Sequence, residues 1–381
     1  MKIFKYLFVL SLILIVSCGG EEEDDDWGNG DGDGGSGDIS GSGDTNIKGG
    51  WVKAIDLEAK TMKSIKVGSN GIIYVMGYSD LKAFSSEGEE LWNKPSEQRS
   101  DNYAFMTLNQ KDNAVIVSQS NYNISKFDSE GHTMWTTSTD KIQESVPNFR
   151  SGFMTSDING NIYIVNQASD SSKGNHFIAK LSSENGELIT IDDVVEMLDS
   201  QYGNIIGAQF LDLVTDSQNM LYVVGRINLD DESHYPLFTK ITKDGDFLWN
   251  NKYEESQKNE RVQKILYSEK DDVLYVVRYK SSAYTLQKYS TSGNEIWKTD
   301  TGGIGTFDVI AVDSYDNILK CIPGKVIKYS SQGKETGRAL YDNVSFKDIS
   351  CDKSGNCYAI GVKGDKSLLI KIPTAGIVPE N

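Results

Sequence analysis

One short phrase constrains this chain more than any other. A strand-like stretch meets a glycine, and a tryptophan follows four residues later. It occurs at 83–92 (AFSSEGEELW), 126–135 (KFDSEGHTMW), 240–249 (KITKDGDFLW) and 288–297 (KYSTSGNEIW). Apolar and polar residues alternate on both sides of the glycine, which is the period of a strand and not of a helix. Strand, tight turn and second strand make a hairpin. A hairpin that recurs along a chain signals a repeat architecture.

A second phrase recurs out of phase with the first. Runs rich in Ile, Val and Tyr lie at 71–76, 114–117, 161–165, 220–224, 273–277, 317–321 and 356–360. Each follows a polar turn such as 157–161 (DINGN) or 352–356 (DKSGN), where Gly and Asn suit the positive φ of a hairpin turn. The fourth-strand positions are Trp92, Trp135, Thr190, Trp249, Trp297 and Gly337, spaced 43, 55, 59, 48 and 40 residues apart. Four strands per unit at roughly 40 to 50 residues is the spacing of propeller blades. The third and sixth units lack the tryptophan, but Gly186 and Gly333 hold the turn position.

The expected fold is therefore all-β: a seven-bladed β-propeller of four-stranded antiparallel blades. The seventh unit, 346–372, supplies three strands before Pro373. Its missing strand is expected at the other end of the chain, where 51–55 (WVKAI) resembles the strand after each corner and Trp51 precedes Trp92 by 41 residues. Residues 51–56 should pair beside 368–372 and close the ring, removing two open sheet edges. The tryptophans are expected at neighbouring blades, since a position that repeats around the ring argues for packing over carbohydrate binding.

Composition narrows the function. Of 381 residues, 38 are Lys or Arg and 55 are Asp or Glu, a net charge of −17 that disfavours a nucleic-acid partner. The start of the chain reads as a targeting segment: Lys2 and Lys5, then an apolar stretch at 6–16 too short to span a bilayer. Residues 15–18 (IVSC) resemble the lipobox of bacterial lipoproteins. The resemblance implies cleavage before Cys18, with diacylglycerol on its sulfur and a fatty acyl chain such as palmitate on its amino group. The alternative is an ordinary secretory signal. More than one acyl chain makes anchoring stable, at about 0.8 kcal/mol per buried CH₂. Between residues 19 and 45 there are ten acids and no base, including the run 21–26. Such a stretch cannot form a core and extends by self-repulsion. Asn29, Asp31, Asp33 and Gly34 match the opening of a calcium loop, but the twelfth position is Ser40 and not Glu, so a solvated spacer is the better reading. Acids just after a lipidated cysteine also serve as a surface-export signal in some Gram-negative groups. The layout is a signal peptide at 1–17, a tether at 18–49, the propeller at 50–373 and a tail at 374–381.

Taken together, the D-x-x-G-N-x-Y-V and G-x-x-L-W phrases resemble the PQQ-like and SBBP-type bacterial β-propeller repeats over about 51–372. Quinoprotein dehydrogenases of the PQQ class have eight blades, catalytic acids and calcium ligands, and no such site can be placed here. The outer-membrane assembly lipoprotein of the β-barrel machinery is also a lipid-anchored propeller with this corner, usually of eight blades.

The chain carries few chemistry-bearing motifs. The histidines are His132 in a corner turn, and His176 and His234 in expected loops. No zinc-protease helix motif, zinc-spaced Cys pairs, P-loop or nucleophile elbow occurs. No catalytic residue, cofactor or metal is assigned. Besides Cys18 there are Cys321, Cys351 and Cys357. Cys351 and Cys357 flank one hairpin turn and are candidates for a disulfide, which an exported protein allows. Cys321 aligns with Val165 and Ile360 as a small buried hydrophobe.

Three long insertions, 166–176, 190–207 and 228–236, belong to second-to-third-strand or blade-to-blade connections, which open on one face. They carry Asp170, Asp192, Asp193, Tyr202, Asp230, Asp231, Glu232, His234 and Tyr235, a candidate binding face, since loops on a rigid scaffold tend to carry recognition. The leading expectation is a monomeric, lipid-anchored, non-enzymatic scaffold at the outer membrane or cell surface, holding a protein or glycan. The alternatives are an enzyme (quinoprotein, lyase or hydrolase) using the central funnel, and an outer-membrane assembly accessory. Convergent acids, histidine or metal in the funnel would favour catalysis.

Overall fold

The computed structural model describes residues 49–377 apart from 59–60, 97–102, 112, 120–122, 148, 150, 167–175, 203–204, 230–233, 252–259, 281–282 and 301–308. The D-x-x-G-N turns set the inner hairpins. Asp157 Oδ1 accepts the Asn161 N–H at 2.8 Å, and Asp313 and Asp352 hold Asn317 and Asn356 in the same way. The carboxylate replaces a backbone acceptor and closes the turn on itself. Gly160, at φ +85, supplies the left-handed residue.

The strands form seven four-stranded antiparallel sheets, each in chain order except the last. Blade one is Ser64–Val67, Ile73–Met76, Asp80–Phe84 and Glu90–Pro95. Blade two is Tyr103–Leu108, Val115–Gln119, Asn123–Phe127 and Thr133–Ser138. Blade three is Ser151–Ser156, Ile162–Asn166, Phe177–Leu181 and Leu188–Asp193. Blade four is Ile205–Thr215, Leu221–Leu229, His234–Ile241 and Phe247–Asn250. Blade five is Arg261–Ser268, Val273–Lys280, Ala283–Ser290 and Glu295–Asp300. Blade six is Ile310–Val312, Ile318–Ile322, Lys325–Tyr329 and Glu335–Leu340. Blade seven is Ser345–Cys351, Cys357–Lys363 and Lys366–Ile372, and its fourth strand is Trp51–Ile55. Trp51 pairs with Lys371 and Ala54 with Leu368, so the expected ring closure is present.

Second strands run between two neighbours and are buried on both faces. Ile73–Met76 and Ile162–Asn166 are buried at every position. Fourth strands lie outermost and alternate half-buried with exposed, as in Glu90–Pro95 and Thr133–Ser138. That difference explains why the unbroken Ile/Val/Tyr runs were the easiest strands to find.

Neighbouring blades are joined at the corners. Trp92 donates from Nε1 to the Ser129 carbonyl of the next blade at 2.9 Å, Trp135 to Ser183 at 3.1 Å and Trp297 to Ser331 at 3.0 Å. A Cβ on Gly131 would lie 2.9 Å from the Trp92 ring, and one on Gly333 would lie 2.8 Å from Trp297. The corner glycine is thus needed for close approach as well as for its positive φ. A lysine adds a second tie: buried Lys180 and Lys288 and half-buried Lys240 donate to the corner carbonyls of Lys243, Ser331 and Thr291 of the following blade. Each of these ammonium groups also lies over the second-strand tyrosine of its own blade, at 5.0–5.2 Å from the ring centre.

Two expectations need amending. Residues 190–207 are mostly regular: the fourth strand of blade three runs to Asp193, helix Val194–Tyr202 follows, and blade four opens at Ile205. The 228–236 insertion is also largely strand, with Asn228 paired to His234. Polar residues there mark a long hairpin and a capped helix where the sequence suggested loop. The tail beyond Ile372 packs as well, with Thr374 and Ile377 buried. Replacing Trp92 by Ala should lower the unfolding free energy by about 3 kcal/mol, near the low end for a large aromatic because its ring is only half-buried. Leu91→Ala on the exposed face should stay within about 0.5 kcal/mol. Urea midpoints of the two variants would check the contrast.

Candidate functional site

The first strands of all seven blades surround the axis and line a cavity of about 470 Å³. Its outer lining includes Ser69, Asn109, Gln110, Ser217, Tyr267 and Lys353, residues of the first-to-second-strand turns or beside them. The cavity therefore opens on the face opposite the second-to-third-strand hairpins. One register level of its wall is Lys66, Thr107, Thr155, Val214, Leu266, Ala311 and Ser350, a lining of mixed polarity with a single charge.

Two residues deeper in each strand stand Ser64, Phe105, Phe153, Asp212, Lys264, Val309 and Asp348. These pair off between neighbours. Phe105 and Phe153 rings meet at 5.3 Å between centres. Lys264 Nζ lies 3.6 Å from Asp212 Oδ2, which also accepts the Ile265 N–H at 3.1 Å. Asp348 Oδ2 accepts Ser64 Oγ at 2.8 Å and the Ile65 N–H at 2.9 Å, and its Oδ1 accepts the Ile349 N–H at 2.9 Å. Each aspartate follows an irregularity in its strand, between Phe210 and Asp212 or between Phe346 and Asp348. The bulge turns the carboxylate toward the next blade. There it replaces a ladder acceptor that the neighbouring edge strand otherwise lacks. A general base needs a lone pair aimed at substrate, whereas Asp348 accepts from two backbone N–H groups and the Ser64 hydroxyl, and Asp212 Oδ2 from the Ile265 N–H beside Lys264. Among the described residues no histidine lines the cavity.

The signal for these clasps was present in the chain as F-x-D-L/I four residues before a turn aspartate (210–216 and 346–352), but two occurrences in seven units do not stand out. At two other seams hydroxyls take the same role: Ser156 Oγ donates to the Leu108 carbonyl at 2.6 Å, and Thr215 Oγ1 to the Ser156 carbonyl at 2.7 Å.

The expected binding residues that the structure describes lie toward the other face, where the second-to-third-strand hairpins stand. Asp193 Oδ1 accepts the Val195 and Glu196 N–H groups at 2.9 and 3.1 Å, capping the helix. It also stands 3.2 Å from His176 Nε2. Burial pushes the His176 pKa down, with Asp193 opposing the shift. Asp192 fills the place of the missing tryptophan: a Cβ on Gly245 would lie 2.6 Å from its Oδ1. Burial raises the Asp192 pKa. Tyr235 is buried in a cluster with Val194, Leu198 and Ile227, while His234 beside it is half-buried at the start of its strand. Tyr202 closes the helix, and its side chain lies outside the described structure, as do Asp170, Asp230, Asp231, Glu232 and Cys18. The structure thus brings Asp193 to His176, turns Asp192 to the corner of the next blade and sets Tyr235 in the core.

Cys351 and Cys357 occupy paired register positions and are joined by a disulfide. Cys321 is free and fully buried, and burial raises its thiol pKa. Among the described residues, metal-ligand types gather only at Asp128, Glu130 and His132 on an exposed corner. There Asp128 Oδ1 accepts the Glu130 and His132 N–H groups and holds the turn itself.

Because Asp348 serves two blades, Asp348→Ala should cost about 1.5–3 kcal/mol, the range for hydrogen bonds to a charged group. Asp348→Asn keeps an acceptor oxygen and should cost less than half of that in denaturant unfolding.

No protein-family model matches the chain, and no curated protein matches it. Solved structures do. A streptogramin B lyase aligns over 84% of this chain and 97% of its own, with a TM-score of 0.61 and 11% identity. Virginiamycin B lyase from Staphylococcus aureus aligns over 84% and 99%, with a TM-score of 0.60 and 14% identity. A catalytically inactive variant of that lyase with quinupristin aligns over 85% and 99%, with a TM-score of 0.59 and 14% identity. At such identities the likeness is one of fold: this chain is a seven-bladed β-propeller of the kind those lyases share.

Proposed function

We propose that this chain is a lipid-anchored, non-enzymatic binding propeller of the bacterial cell envelope. Residues 1–17 act as the signal, Cys18 carries the acyl chains, the acidic stretch to residue 49 is the tether, and the propeller holds a protein or glycan. The supporting observation is the state of the axial acids. Asp212 Oδ2 accepts from a backbone N–H of the next blade beside Lys264, and Asp348 Oδ2 from a backbone N–H and the Ser64 hydroxyl of the next blade. That suits a scaffold whose rigidity matters more than reactivity at the axis. The D-x-x-G-N phrases, similar to PQQ-like and SBBP-type repeats, fit the same role. The tether's charge would stand the propeller off an anionic surface.

Cys18→Ala should abolish incorporation of an alkyne-tagged palmitate and release the protein from the membrane fraction. Labelling that survives the substitution overturns the anchor. Crosslinking in the native cell would then identify the partner.

The lyase neighbours favour a second reading, catalysis by the propeller. Quinupristin incubated with the protein and followed by chromatography should remain unaltered. Time-dependent conversion that tracks enzyme concentration would reverse the ranking.

A further inference from the structure

The wall of the axial cavity is sorted by polarity. At the level of Lys66, blades seven, one, two and three contribute Ser350, Lys66, Thr107 and Thr155. Blades four, five and six contribute Val214, Leu266 and Ala311. Each set is contiguous around the ring, so one arc of the wall is polar and the facing arc apolar. Lys66, Thr155, Val214, Leu266 and Ser350 are half-buried and keep part of their surface for whatever enters.

The other charged residues of the wall are engaged within the protein. Lys264 Nζ stands 3.6 Å from Asp212 Oδ2, and on the rim Lys353 Nζ stands 3.1 Å from Glu269 Oε2. Asp348 accepts from Ser64, Ile65 and Ile349. Lys66 is the remaining charge, and among the described residues no carboxylate is in ion-pair contact with it. The first-to-second-strand turns that ring the mouth are all described except residue 112. Ser350 Oγ accepts the Val67 N–H at 3.3 Å and keeps its own proton to donate.

A half-buried ammonium has given up part of its hydration, and an acceptor oxygen of a ligand restores it. A concave wall also focuses the field of that charge on the space it encloses. Hydroxyls both donate and accept, so the polar arc suits a hydroxylated edge beside the anion. The apolar arc favours a ligand that removes it from water. A purely polar anion leaves that arc wet, and a neutral apolar molecule leaves Lys66 unmet. The volume of about 470 Å³ falls within the range of about 300–1,000 Å³ for small-molecule sites.

We propose that the axial cavity binds a small amphipathic organic acid. Its carboxylate or phosphoryl group meets Lys66, its hydroxyl groups lie along Thr107, Thr155 and Ser350, and its apolar flank covers Val214, Leu266 and Ala311. This adds a ligand to the propeller and requires neither the anchor nor the partner proposed above, so the labelling and crosslinking tests stand or fall separately.

The test titrates the purified full chain in detergent, against a detergent blank, with water-soluble probes and reads binding by calorimetry. Phenyllactate carries acid, hydroxyl and apolar ring. Phenyl phosphate exchanges the carboxylate for a phosphoryl group. The diol made by reducing the phenyllactate carboxylate lacks the charge, and lactate lacks the ring. Saturable binding is expected for phenyllactate, phenyl phosphate or both, with the diol and lactate about tenfold weaker. Phenyllactate alone assigns a carboxylate, and phenyl phosphate alone a phosphoryl group. Lys66→Gln should weaken the acid about tenfold, leave the diol unchanged and leave Tm unchanged in the absence of ligand. Thr155→Phe, which narrows the cavity with Lys66 in place, should abolish binding of the ring-bearing probes and decides the matter should Lys66→Gln fail to fold. No saturable binding of either acid, a diol or lactate as tight as phenyllactate, or variants that bind as the parent does would overturn the site.

Discussion

A propeller stands or falls on ring closure. Each blade buries one face against each neighbour, so an open ring would expose two apolar faces at once. Here the closing contact is the pairing of Trp51–Ile55 with Lys366–Ile372 inside blade seven. It joins residues more than 300 positions apart and buries Leu369 and Tyr358 against blade one. Contacts so distant in sequence form only after much of the chain is ordered, because loop entropy must be overcome first. The rest of the molecule then behaves as one unit.

The seams show how a degenerate repeat keeps its geometry. Where blade three lacks tryptophan, Asp192 covers the next corner glycine. Blade five has Ser268 where blades three, four, six and seven have a turn-opening aspartate. Asp316 of the following blade takes over, accepting Tyr275 Oη at 2.7 Å and Lys288 Nζ at 3.0 Å. Blade seven has no corner of its own. The chain end serves instead, with Lys328 donating to the Thr374 carbonyl at 2.8 Å as other lysines do to corner carbonyls. What is held constant is the tie between blades, supplied by whichever residue reaches.

The same logic separates the two faces of the molecule. At the axis, acids from blades four and seven clasp the next blade, and the cavity there is of mixed polarity. On the opposite face, the second and third strands of blades four and five run longer than those of the other blades. Binding surfaces on rigid scaffolds are commonly built from such extended loops and strand ends.

The strands were legible because their signals are local. Period-two alternation, Asp and Gly at turns and a glycine four residues before tryptophan all act within ten residues. Even ring closure could be read, since 51–55 repeats the pattern that follows each corner. The site was not legible to the same degree. Asp212 and Asp348 look like any surface aspartate until a bulge aims them at another blade, and Tyr235 looks like a loop aromatic until its strand is seen to extend past it. Hydrogen-bonding type and strand period are properties of neighbouring residues, so the sequence alone determines them. Which buried charge meets a partner depends on residues brought together across seams, and only the tertiary structure decides that.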